Sequence, residues 1–146
     1  MDKANLKIGN FVHYLVADKK YIAEIVYIGE KATINVLEEI FHKEETKEIE
    51  VAYDKLEPII LTNKWKNRMG FLPNSKNLAQ HYMKFGAWVF IYEKELITIF
   101  FQLDKDRYVG LQKRKFSVSD FQNLLFFMFG LDIRKKGKNN KIKAAI

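Results

Sequence analysis

Three histidines, three serines and an acidic run are the groups of this 146-residue chain best suited to catalysis. His13, His42 and His81 are far apart and form no H-x-x-x-H spacing, so no helical face pairs two imidazoles around a metal. Of Ser75, Ser117 and Ser119, the last two stand where a helix start needs hydroxyls, which leaves no Ser-His-Asp arrangement. Asp104 and Asp106 flank Lys105 in a short charged connection and read as turn chemistry rather than a cation site. Glu38, Glu39, Glu44, Glu45, Glu48 and Glu50 have the groups for acid/base work, but Lys43 and Lys47 among them spell a solvated hairpin. The seven glycines are scattered and form no phosphate-cradling loop, and the chain has no cysteine, which excludes disulfides and thiolate chemistry. The expectation is a non-enzymatic protein with no catalytic residue, metal ligand or cofactor.

Two patches have the chemistry of binding. The first is basic: Lys64, Lys66 and Arg68 in the middle of the chain, Lys113, Arg114 and Lys115 later, and a tail bearing Arg134, Lys135, Lys136 and Lys138. Tyr108 and Trp65 add rings able to stack on bases, although Trp65 is equally suited to the core. The net charge of +7 is concentrated, since residues 134–146 hold six basic and no acidic residues and leave a body of about +1. Lysine outnumbers arginine 21 to 4, a bias that AT-rich coding produces without selection for a partner. The second patch is a protein-binding surface formed by Phe126 and Phe127, or by an acidic hairpin with Glu44, Glu45 and Glu48, whose charges imitate a nucleic-acid backbone. A homodimer through the two phenylalanines is another use of that surface.

The elements that position these residues are mostly strands. Residues 11–16, 21–28, 33–41 and 47–52 are rich in Val, Ile, Tyr and Phe and are separated by turn residues. They predict a small SH3-like barrel over residues 1–61. Thr62 then starts a short helix over 62–69 carrying Trp65 and Met69, which Gly70 stops. Residues 72–80 read as a loop, and strands over 87–92, 96–103 and 107–111 form an antiparallel meander. Ser117 opens a helix with capping-box spacing to Asp120. Phe121, Leu124, Leu125 and Met128 form its apolar stripe, with Phe126 and Phe127 turned away beside Gln122 and Asn123. The fold class is α+β and β-rich, with residues 62–133 sharing a core in which this amphipathic helix packs on the meander, followed by the basic tail 134–146. No apolar run is long enough to span a membrane, and no signal-peptide core is present, so a cytoplasmic location is expected.

LKIGNFV near the start, LEPIILTNKWKNRMGF in the middle and FQNLLFFMFGLDI near the end resemble a family of small uncharacterised proteins carried by bacterial phages and prophages. That family's pattern is an IGNYV opening, an EPIPLTEEWLxKFGF centre and an LQNLYFALTGEEL end, and the likeness spans most of residues 6–133. Ile60 stands where the family commonly has proline, and the basic tail follows the usual end. The resemblance brings no assigned activity and hence no functional residues. It implies a mobile-element setting in a bacterial host cell.

These readings together lead to an accessory protein that acts by binding. One form is an anti-defence inhibitor, anti-CRISPR-like, of a host protein or ribonucleoprotein complex that handles nucleic acid. The other is a direct DNA- or RNA-binding protein using the basic connector and the tail.

Overall fold

The computed structural model describes residues 1–37 and 48–133. The chain is β-rich, with two antiparallel sheets and two α-helices, and it divides into two compact units. The first joins Met1–Ile59 to the described residues from Ser117 onward, and the second is Ile60–Phe116.

In the first unit, β1 (Phe11–Val16), β2 (Lys19–Ile28), β3 (Ala32–Val36), β4 (Glu48–Val51) and β5 (Leu56–Glu57) form a sheet ordered β4-β3-β2-β1-β5. A 3-10 turn over Tyr53–Lys55 swings the chain back so that Leu56 and Glu57 pair with Tyr14 and His13. Val12, Ala23, Ile25, Ala32 and Ile34 alternate inward and are fully buried. At roughly 1.5–3 kcal/mol per large apolar side chain, Val12, Ile25 and Ile34 contribute much of what holds the sheet. The ladder ends at β4 on one side and β5 on the other, and no pairing among the described residues joins them, so the barrel expected here is not closed. Among the described residues the sheet is an open one.

The helix expected to pack on the meander belongs instead to this first unit. Helix α2 (Val118–Phe129) starts where its caps predict: the Ser117 hydroxyl accepts from the Asp120 N–H at 3.1 Å, and Gly130 ends it at φ +67°.

In the second unit, α1 spans only Asn63–Lys66, shorter than the 62–69 expected. The chain then turns out of the helix: the Met69 N–H donates to the Trp65 carbonyl, and the Phe71 N–H reaches back five residues to the Lys66 carbonyl past Gly70, at φ +99°. Trp65, Met69 and Phe71 are buried. The sheet is a continuous meander ordered β10-β9-β8-β7-β6, made of β6 (Leu72–Pro73), β7 (His81–Phe85), β8 (Trp88–Glu93), β9 (Leu96–Asp104) and β10 (Arg107–Arg114). Its register sorts the side chains into two faces. One face carries Met83, Phe85, Phe90, Tyr92, Ile97 and Ile99, all buried, and the Phe71 ring approaches Tyr92 on that side at 5.7 Å between centroids. The opposite face carries Tyr82, Lys84, Val89, Ile91, Thr98 and Phe100, all half-buried or exposed. Strand β10 is exposed along all eight residues.

Candidate functional site

The opening motif I-G-N is a turn that α2 reads. Gly9, at φ +92°, is the third residue of a β-turn closed by the Asn10 N–H donating to the Lys7 carbonyl at 3.1 Å. The Asn10 carboxamide oxygen accepts from the Lys7 N–H at 2.8 Å. From α2, Gln122 accepts from the Phe11 N–H at 2.8 Å through Oε1 and donates from Nε2 to the Gly9 carbonyl at 3.0 Å. Asn123 accepts from Asn10 Nδ2 at 2.8 Å and donates to the Asn5 carbonyl at 3.0 Å. The two adjacent amides therefore satisfy backbone that a strand entry leaves unpaired. This network places the helix against the N-terminal turn, and it explains why Gln122 is buried although it lies off the apolar stripe.

One turn further along α2, Phe126 and Phe127 follow Gln122 and Asn123. Phe126 is 46% exposed and its ring lies under the Lys7 ammonium, 3.5 Å from the centroid, whereas Phe127 is 88% exposed. Beside them runs a groove of about 400 Å³ lined by Lys7, Ile8, Phe126, Leu131 and Asp132 over a floor of the paired amides. Glu48 opens β4 and is exposed. Its sequence companions Glu38, Glu39, Glu44 and Glu45, together with His42, lie outside the described residues, as do the tail residues Arg134, Lys135, Lys136 and Lys138.

The six basic candidates of the second unit do not form one patch. Lys64 is exposed on α1. Lys66 lies over the Tyr92 ring at 5.8 Å, and the Arg68 guanidinium stacks over Trp65 at 4.7 Å. Trp65 itself is 4% exposed, which makes it a core residue and not a stacking platform. The run Lys113, Arg114 and Lys115 is divided by strand alternation. Arg114 pairs with Ile97 on the buried face and stacks over Phe116 at 4.0 Å, while Lys113 pairs with Thr98 on the opposite face. Lys115 lies 3.9 Å from Glu95. Tyr108 is 50% exposed and shares the Lys113 face, its ring 6.5 Å from Phe100 and edge-on to it.

The groups first weighed for catalysis have local roles. Asp104 accepts from the Asp106 and Arg107 N–H groups at 3.1 Å each and from the Arg107 side chain, so these donors hold its carboxyl below the usual carboxylate range. His13 faces Glu57 at 3.8 Å. His81 has a buried Nδ1 without a hydrogen-bond partner, and burial and then the Lys66 charge lower its pKa. Burial and then the Glu95 carboxylate push the Tyr92 phenol up. Among the described residues no group of three or more His, Asp and Glu is placed to hold a metal ion, and no helix is long and apolar enough to cross a membrane.

Charge is distributed by unit in a way that the linear reading obscured. Residues 60–116 hold eleven Lys and Arg against four Asp and Glu, a balance of +7. Residues 1–59 with 117–133 hold eight against fourteen, a balance of −6. The body of about +1 is thus the sum of an acidic and a basic unit. Tyr82 and Lys84 lie on β7, a strand outside those expected from the sequence. The signal was present in HYMKF, where Tyr and Lys alternate with Met and Phe, but the loop-like residues before it masked the strand. Comparison of the chain with protein-family models, with curated proteins and with solved structures finds no match.

Proposed function

We propose that this protein acts by binding and not by catalysis, as an accessory protein of a phage or prophage working in the bacterial cytoplasm, and that the basic second unit engages nucleic acid. The observation that carries the reading is the concentration of +7 in residues 60–116, alongside −6 in the other unit. Such a field attracts a phosphate backbone and orients the molecule on it. In this reading the first unit is an SH3-like module, its strand order and the 3-10 turn before β5 supporting that assignment although the sheet does not close among the described residues. The test is binding of the full chain to a labelled duplex and a labelled single strand. Affinity should fall steeply between about 50 and 200 mM salt, by a factor set by the number of phosphates neutralised. Absence of binding to either probe at the lower salt ends this reading.

A second reading is favoured by Phe127 and the groove beside it. Here the protein is an anti-defence inhibitor of a host nucleic-acid-handling complex, anti-CRISPR-like in action. It seats Phe126 and Phe127 on a protein partner while the acidic unit occupies the site of a nucleic-acid backbone. A Phe126→Asp/Phe127→Asp variant that stays folded should lose capture of such a complex. Unchanged capture removes this surface from the account.

A further inference from the structure

We infer that the face of the second sheet opposite its buried side is a stacking platform for single-stranded nucleic acid, built from Tyr82, Phe100 and Tyr108 with Lys84 and Lys113 at its two sides. This rests on the nucleic-acid reading above and specifies its site and substrate class. The register places the five residues on one face. Tyr82, Ile91, Thr98 and Lys113 form one row across β7 to β10, and Lys84, Val89, Phe100 and Gly110 form the next. The rows lie two residues apart along the strands, roughly 7 Å, and each crosses three strand gaps, roughly 14 Å. Tyr108 pairs with Gln102 one step beyond.

An antiparallel sheet with one face towards water normally carries polar side chains there. This face carries aromatic ones instead. The half-buried Phe100 ring has a glycine as its cross-strand neighbour: a Cβ on Gly110 would lie 3.5 Å from the ring, and a larger side chain there would cover it. The cations are free to meet phosphate, since Lys84 and Lys113 are exposed and on opposite sides of the rings. The carboxylates that flank the face are already engaged, Glu93 by Gln80 Nε2 at 3.3 Å and Asp104 by Arg107. Aromatic faces accept bases only where those bases are unpaired, and a four-stranded sheet with such rings stacks two or three of them. A protein partner would use the rings but has no need of lysines on both sides, and a second copy would bring like charges together. Charge and ring placement together favour the single strand.

The test is fluorescence anisotropy of the full chain with labelled oligouridine and oligothymidine of about twelve nucleotides, against a duplex of equal length. The single strands should bind more tightly than the duplex. Tyr108→Ala should weaken single-strand binding roughly 5- to 150-fold, the range of one lost base–aromatic stack. Tyr108→Phe should keep it, and Lys84→Glu/Lys113→Glu should lower the salt dependence by about two phosphates. Preference for uridine or thymidine strands distinguishes RNA from DNA as the source. If single strand and duplex bind equally and Tyr108→Ala changes neither, the platform is wrong while the electrostatic reading survives. If neither probe binds at about 50 mM salt, both fail. If sizing finds a dimer that Tyr108→Ala dissociates, the face is an interface between copies and the inference is overturned.

Discussion

Gln122 and Phe11 stand 111 positions apart and share a 2.8 Å hydrogen bond, the Phe11 N–H donating to the Gln122 side-chain oxygen. The same side chain donates to the Gly9 carbonyl, so one amide satisfies two buried backbone groups at the mouth of β1. This is what ties the last helix to the first turn.

Gln122→Leu keeps the approximate volume and removes both bonds. Leaving two buried backbone groups without the amide should cost about 2–6 kcal/mol, at roughly 1–3 kcal/mol each. Urea unfolding should show a lower midpoint at similar slope, and a change under about 0.5 kcal/mol would mean that water or another donor replaces the amide.

Trp65 sits in the core of the second unit with Arg68 across its face. Trp65→Ala should destabilise by about 3–5 kcal/mol, as large cavities do. Near-native thermal stability of that variant would return Trp65 to the list of surface rings.

His81 links stability to pH. Its folded-state pKa lies below the ordinary 6.5, so folding favours the neutral ring. The stability this contributes is present above pH 6.5 and is lost as pH falls towards the folded value. Unfolding free energy should therefore drop on acidification from neutral pH, and His81→Gln should flatten that limb. An unchanged slope in the variant would assign the limb to other groups.

Lys94 and Glu95 form the two-residue turn between β8 and β9 at φ +51° and +63°, a conformation that suits Asn and Gly. Lys94→Asn/Glu95→Gly should raise stability by roughly 1 kcal/mol. Chemical denaturation reads it directly, and a loss would mean that the Lys115–Glu95 pair matters more than the turn strain.

Much of the fold is legible in local pattern. The Phe11–Val16 strand, the Ser117 cap and the Gly130 stop follow from alternation and capping chemistry, which act over a few residues. What local pattern does not carry is partnership. The stripe on α2 needs an apolar neighbour but does not select the meander expected for it, whereas Gln122 and Asn123 select the N-terminal turn through bonds no periodicity encodes. The barrel was over-read because four strand-like runs look alike whether or not the first and last rows meet. The candidate residues Phe126, Phe127, Tyr108 and Lys113 are all exposed. The grouping of Lys113 with Arg114 failed because adjacent residues of a strand face opposite ways.

The division of the chain sets an order on how the molecule is made. Residues 60–116 are contiguous, so the meander can fold from one continuous segment, whereas the first unit is assembled from both ends of the chain. The segment that precedes it must wait for Gln122 and Asn123, with the backbone of Gly9 and Phe11 hydrated and the acidic half of the molecule exposed to chaperones in the interval. A released chain that ends short of residue 117 should carry a protease-resistant meander on a protease-sensitive N-terminus.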